Sequence, residues 1–292
     1  MNYVMRSKLF VPASRPELIA KALASQADAI CCDLEDSVLP ARKDEARENL
    51  RELFRRELQT KKLVMVRVNE VRSGDFAKDL SAVVSPAVAV LVVPKVGDPE
   101  EVRQAAAELG RLETERRLQE PIAILATIES PRGLRLAREI AEGDARVMGL
   151  QLGLADMFGP LGIQPDDEGA AQQVRFRMRL AAGEAGVPCF DSAFADFRNE
   201  EGFVQEATAA RNMGFAGKSC IHPSQIAAAN RIFSPSEAEV AEAQRVVDAV
   251  RESGTAGAGA LALDGRMIDA PYMKRAEAVI QMAKQIRAHG RA

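Results

Sequence analysis

Residues 122–156 read IAILATIESPRGLRLAREIAEGDARVMGLQLGLAD, and their order of apolar and polar positions decides the fold. Ile122–Ile128 is an apolar run of strand length apart from Thr127, and so is Val147–Leu152 apart from Gln151. Near-continuous rather than alternating apolar character marks a strand covered on both faces, as in a parallel sheet. Between the two, Pro131 marks a helix start, because proline is tolerated in the first turn. An acid follows each strand closely: Glu129 directly after the first, and Asp156 after Gly153-Leu154-Ala155.

The same unit repeats outward along the chain. Further strand-like runs are Leu9–Val11, Ala29–Leu34, Leu63–Val68, Ala89–Pro94, Pro188–Ser192 and Gly217–Ile221. Amphipathic segments separate them. Within residues 41–58, Leu50, Leu53, Phe54 and Leu58 share one helical face, while arginines and glutamates fill a solvated one. Other helix starts are marked by Pro16, by Asp98-Pro99-Glu100-Glu101 and by Ser234-Pro235-Ser236-Glu237, with acids at the positive end of the helix dipole. Eight strand–helix alternations predict an α/β fold, a (β/α)8 TIM barrel. An open doubly wound sheet is the alternative, but no GxGxxG follows the first strand to support its dinucleotide-binding form.

The chain has 292 residues, 47% hydrophobic and 28% charged, with a net charge of −3. Such barrels commonly run to about 250 residues as one unit. Without a basic block, nucleic acid is not an expected partner. No apolar run has membrane-spanning length and no signal peptide is evident, so the expectation is a cytoplasmic protein with no membrane partner. The four cysteines, Cys31, Cys32, Cys189 and Cys220, lack zinc-type spacing and read as reduced, buried thiols. Two histidines, His222 and His289, are too few for a histidine-rich metal site, and His222 before Pro223 is a candidate base that reads more readily as a structural loop residue.

The last residues leave this rhythm. Residues 1–252 are expected to form the barrel domain, and 253–292 a C-terminal linker, hairpin and helix arm docking on a neighbouring subunit. The linker is the small-residue run 253–259, the hairpin turns at Asp264-Gly265, and an amphipathic helix covers residues 271–287.

In a barrel, strand ends and the loops after them form the active face. Glu129 and Asp156 stand there, where an unpaired carboxylate is costly to desolvate. A Mg²⁺ ion, which favours one or two carboxylates plus water and substrate oxygens, would resolve that cost. Pairing with an arginine, or capping of the following helix, would resolve it too. Arg67, at a strand end beside Asn69, must meet either an anionic substrate oxygen or one of Asp33, Glu35 and Asp36. Glu35 and Asp36 in turn either orient metal-bound water or only neutralise nearby arginines.

The runs Arg6–Pro16, Asp33–Ser37 with Lys43, Ala46 and Arg47, Arg67–Asn69, Ile128–Ser130, Gly153–Asp156, Lys218–Pro223 and Asp264–Pro271 resemble, in order, the citrate lyase β-subunit family. That family lies within the HpcH/HpaI aldolase group and includes malyl-CoA and citramalyl-CoA lyases. The resemblance implies a carbon–carbon lyase that cleaves citramalyl-CoA or malyl-CoA to acetyl-CoA and an α-keto acid, pyruvate or glyoxylate, or runs the reverse. It implies Mg²⁺ held by Glu129 and Asp156, with Mn²⁺ as a substitute. Arg67 would bind the keto oxygen, and the amides of Ala155 and Asp156 the keto-acid carboxylate. Phe10, Arg15 and Lys21 match positions that hold coenzyme A. Asp269 matches the acid that moves a proton on the acetyl methyl group, given by a neighbouring subunit of a homotrimer or hexamer. Ala13 stands where the family commonly has glycine. Alternatives are a citrate lyase β-subunit acting on a citryl thioester, an HpcH-type class II aldolase acting on free hydroxy-keto acids, and a non-catalytic scaffold barrel.

Overall fold

The computed structural model describes residues 4–56, 58–252 and 261–291. Two compact units divide the chain, Met1–Asn230 and Arg231–Ala292.

In the first unit eight strands alternate with helices: β1 (Ser7–Pro12), α1 (Pro16–Leu23), β2 (Ala29–Asp33), α2 (Lys43–Phe54), β3 (Leu63–Arg67), α3 (Phe76–Val83), β4 (Val90–Val93), α4 (Pro99–Arg116), β5 (Ala123–Ile128), α5 (Pro131–Arg135), α6 (Ala137–Ala141), β6 (Val147–Leu152), α7 (Leu154–Phe158), α8 (Glu168–Glu184), β7 (Cys189–Phe190), α9 (Glu200–Asn212) and β8 (Lys218–Cys220). All pairings are parallel, in the order β7-β6-β5-β4-β3-β2-β1-β8. Backbone bonds close the ring between the end strands: Ala216 N–H donates to Cys189 C=O, Asp191 N–H to Gly217 C=O and Ser219 N–H to Asp191 C=O. This is the (β/α)8 barrel that the apolar runs predict. α2 is shorter than its amphipathic pattern, and a 3₁₀ turn, Pro40–Arg42, precedes it.

Interior positions come from alternate residues of each strand, among them Cys31, Met65, Val90, Val92, Leu125 and Phe190, which pack as one buried cluster. Gly217 is needed where β8 meets β1, because a Cβ there would lie 2.0 Å from Met5 O. Helix starts follow the sequence signals. Asp98 accepts from the Glu100 and Glu101 amides, and Ser130 accepts from Gly133 N–H, as side-chain caps do.

α10 (Ser224–Ile232) crosses the division between the units. The second unit holds α11 (Glu237–Glu252), an antiparallel hairpin of β9 (Leu261–Leu263) and β10 (Arg266–Ile268), and α12 (Ala270–Arg291). Asp264 and Gly265 both take positive φ, 50° and 76°, as the Asp-Gly turn predicts. Ala243, Val246 and Val247 of α11 form one small core with Ile268 and Ala276. The linker expected over residues 253–259 lies outside the described residues. Among the described residues no helix is long and apolar enough to cross a membrane.

Candidate active site

The strand ends of the barrel surround a cavity of about 280 Å³, lined in part by Phe10, Asp33, Arg67, Glu129, Ala155 and Asp156. Residues far apart in sequence meet here because β1, β2, β3, β5 and β6 all end on one side of a parallel ring.

Glu129, one residue past β5, is buried, and its Oε2 has no hydrogen-bond partner. It touches Asp156 in the first turn of α7, and Lys95 N–H approaches its Oε1 at 3.5 Å. Burial, the Glu35 charge and the Asp156 contact push the Glu129 carboxyl up to about 8. Two neighbouring carboxyls, Glu129 buried and Asp156 exposed, share a proton or take a cation. Gly153 permits the arrangement: a Cβ on it would lie 2.5 Å from Glu129 Cγ. Among the described residues no group of three or more His, Cys, Asp or Glu side chains is placed to hold a metal ion. Two carboxylates, one with an orphaned buried oxygen, fit Mg²⁺, which leaves its other positions to water and ligand oxygens.

Arg67 ends β3 and meets the acids that sequence leaves open as partners. Asp33 accepts from its Nε and Nη2 at 2.7 Å each, and Glu35 Oε2 lies 3.0 Å from its Nη1. Asp36 is more distant, 3.9 Å from the same nitrogen, and half exposed. Burial pushes the Glu35 carboxyl up to about 7 against the pull of Arg67 and Lys95. Arg67 is therefore clamped in an ion-pair network and still lines the cavity. Phe10 lies under it, with its ring centre 5.0 Å from Arg67 Cζ.

Arg15 and Lys21 lie apart from the cavity lining, on exposed positions at the start and in the last turn of α1, and Arg15 pairs with Glu17. Asp269 belongs to the second unit, where it caps α12 by accepting from Tyr272 N–H at 3.1 Å. The His222 ring stacks on Phe197 at 4.7 Å, and its Nδ1 meets Ser224 Oγ at 2.8 Å, a loop-building arrangement.

The other motif residues support the site. Arg47 is buried and binds Asp79 Oδ1 at 2.7 Å, while Asp79 Oδ2 accepts from both Asn69 N–H and Asn69 Nδ2. Lys43 holds Asn69 Oδ1 and Leu34 C=O. Behind the β7–β8 seam, buried Lys218 binds Asp191 at 2.6 Å and Ser192 C=O at 2.8 Å, and Arg175 binds Asp191 at 2.8 Å.

Two lysines here have no role assigned from sequence. Lys95, after β4, has φ 51°, and its Nζ reaches Glu35 at 2.8 Å and Asp36 at 3.3 Å. Its signal is an ion at a strand end, and its left-handed backbone has none. Lys8 is the second residue of β1 with 2% exposure, and a lysine buried within a strand is itself a signal. Thr127, Gln151, Ser192 and Ser219 add a polar inner wall to the cavity.

The model of the HpcH/HpaI aldolase/citrate lyase family matches residues 6–223. The chain is 36% identical over 281 residues to the citrate lyase subunit beta of Escherichia coli K12, covering 96% of this chain and 93% of that one. It is 32% identical over 304 residues to an L-malyl-CoA/beta-methylmalyl-CoA lyase of Cereibacter sphaeroides, covering 97% and 96%. Among solved structures, CitE from Mycobacterium tuberculosis in complex with magnesium, acetoacetate and coenzyme A superposes with a TM-score of 0.76 at 33% identity, covering 95% and 97%.

Proposed function

We propose, from the premise that this chain belongs to the HpcH/HpaI aldolase/citrate lyase family, that it breaks or makes the bond between an α-keto acid and the acetyl end of a coenzyme A thioester. The chain is a carbon–carbon lyase. One observation carries the more specific reading: Glu129, Asp156 and Arg67 converge on a single cavity at the strand ends.

Glu129 and Asp156 would hold Mg²⁺, which supplies Lewis acidity toward the oxygen that becomes the ketone. Arg67 binds the same oxygen as charge develops on it. Asp33 takes two of its five N–H groups, which fixes the guanidinium plane and leaves others for the substrate. The amides of Ala155 and Asp156 open α7 and have no intrahelical acceptor, so they suit the keto-acid carboxylate. In cleavage the β-hydroxyl gives its proton to water, its oxygen becomes the ketone as the carbon–carbon bond breaks, and the bond's electron pair leaves as the thioester enolate. Asp269, given by a neighbouring copy in a trimer or hexamer, protonates the enolate carbon, or removes that proton in condensation. Glu35 and Asp36 would orient water where Mg²⁺ is held. Phe10, Arg15 and Lys21 serve the coenzyme A moiety, the last two from the exposed first helix.

Citramalyl-CoA or malyl-CoA is the thioester of this reading, with the near full-length likeness to the malyl-CoA lyase in support. A citryl thioester is the second reading, favoured by the polar inner wall. The test is acetyl-CoA release from citramalyl-, malyl- and citryl-CoA, with Mg²⁺ and with EDTA. At least one thioester should turn over, and EDTA should abolish its turnover. Equal rates with chelator would remove the metal from the reaction, and no turnover of any thioester would remove the lyase reading.

A further inference from the structure

Lys95, two residues past β4, connects the loops around the barrel mouth. Its backbone takes φ 51°, in the left-handed region, and the next residue turns back to β5, with Val96 N–H donating to Thr127 C=O at 3.1 Å. Lys95 N–H faces Glu129 Oε1 at 3.5 Å, while the side chain reaches the loops after β2 and β3. There its Nζ lies 2.8 Å from Glu35 Oε1, 3.3 Å from Asp36 Oδ1 and 3.7 Å from Glu70 Oε1. A left-handed backbone costs a residue with a side chain about 1–2 kcal/mol, and such outliers gather at functional sites.

Of these three acids Glu35 is the buried one, with 4% exposure, and each of its oxygens meets a different cation. Oε2 lies 3.0 Å from Arg67 Nη1, and Oε1 lies against Lys95. Neither oxygen accepts a well-directed hydrogen bond among the described residues, so the carboxylate rests between the two cations and is aligned with neither. Against burial, Glu35 and Asp36 hold the Lys95 amine above its ordinary value, which keeps it charged. Asp33 engages Nε and Nη2 of Arg67, so the edge between Nη1 and Nη2 is what remains for a ligand. Arginine and carboxylate favour bidentate pairing. Glu35 released from Lys95 would turn onto that edge and occupy it.

We propose that Lys95 is a positioning residue for Arg67: by holding one oxygen of Glu35, it keeps the outer edge of the guanidinium open to the keto oxygen. The inference rests on the lyase reading and adds a residue to it. Lys95 is not part of the cavity lining, so it acts through Glu35 rather than on the substrate.

The test is calorimetric binding of pyruvate and of glyoxylate to the protein in Mg²⁺ buffer, with condensation against acetyl-CoA as a second measurement. Lys95→Met keeps side-chain length and removes the charge. It should weaken keto-acid binding about 10-fold or more, the scale of losing a hydrogen bond to a charged group. The KM for the keto acid should rise with it, while the KM for acetyl-CoA and the Mg²⁺ affinity stay near wild type. Lys95→Arg, which offers Glu35 a cation again, should recover most of the loss. In a Glu35→Gln background Lys95→Met should cost nothing further, because the carboxylate it restrains is gone. An equal cost with and without Glu35→Gln would mean that Lys95 only draws anions from a distance, and would overturn the proposal. Unchanged keto-acid binding in Lys95→Met would overturn it too, as would a loss of Mg²⁺ affinity as large as the keto-acid loss. Should Lys95→Met fail to fold, Lys95→Gly takes its place, since glycine accepts positive φ without strain and removes the same side chain. If no keto acid condenses but binding still falls in Lys95→Met and is spared in the Glu35→Gln background, the lyase reading fails and Lys95 keeps its role. If condensation proceeds and Lys95→Met matches wild type, Lys95 loses its role and the lyase reading stands.

Discussion

A methyl group at position 153 would stand 2.5 Å from Glu129 Cγ and 2.9 Å from its Cδ. Gly153→Ala should therefore displace the Glu129 carboxylate while leaving the strand able to form. The expected outcome is a 10- to 100-fold loss of Mg²⁺ affinity, about what a misplaced supporting residue costs a metal site. Magnesium calorimetry on the folded variant checks it, and wild-type affinity would mean that Glu129 is free to move aside. At this scale the site is half legible in sequence. Glu129 and Asp156 announce themselves because a carboxylate beside an apolar strand needs a partner. The Arg67 clamp by Asp33 stays open in sequence, since three acids in four residues are equally near along the chain and only β2–β3 pairing sets Asp33 opposite Arg67. Lys95 is harder still to read, because its role depends on a positive φ that nothing in its side chain requires.

The seam between β7 and β8 is the weakest join among the barrel strands. An isolated bridge at Asp191 and the backbone bonds around it join the two strands, and β7 itself is two residues long. Asp191, with Lys218 and Arg175 against it, reinforces this join from behind. Burial alone would push the Asp191 carboxyl up, but Lys218 and Arg175 pull it further the other way, below the ordinary carboxylate range. A depressed carboxylate contributes stability above its unfolded value, about pH 4, and loses it as pH falls through its folded value. Asp191→Asn should cost about 3 kcal/mol at pH 7, because Lys218 and Arg175 lose the buried one of the two carboxylates they share and keep only the less buried Glu206. The stability gap between wild type and variant should then narrow below about pH 4. Thermal melts from neutral to acid pH measure the gap, and a gap that does not narrow would deny Asp191 its ionised role. The strands from β2 to β6 are legible, since largely apolar runs mark each of them within a few residues. The seam is not, because a two-residue strand and a buried Lys-Asp-Arg cluster look in sequence like a loop with charges.

At the scale of the whole molecule the chain divides its chemistry. Glu129, Asp156 and Arg67 belong to the first unit, Met1–Asn230, and Asp269 to the second, Arg231–Ala292. Asp269→Asn should lower turnover by about 10²-fold or more while thioester binding survives, as expected on losing a proton-transfer group. Mixing Asp269→Asn subunits with Glu129→Ala subunits should restore part of the activity if the acid works across copies. Recovery after mixing, measured as acetyl-CoA release, checks it, and two inactive homomers that stay inactive together would place Asp269 on its own barrel. The Asp-Gly turn and the helix after it are readable from sequence. Their service to another copy is carried by resemblance alone, since no residue pattern in one chain reveals which barrel it meets.

All four cysteines are free and buried, and burial pushes Cys31, Cys189 and Cys220 up to about 12 and Cys32 higher still. A thiol needs both exposure and a thiolate to react, and these have neither. The folded enzyme should therefore leave thiol-reactive chromogens uncoloured. An assay that converts released acetyl-CoA to free coenzyme A can then be followed by colour, with the dye reporting the product's sulfur rather than the protein's.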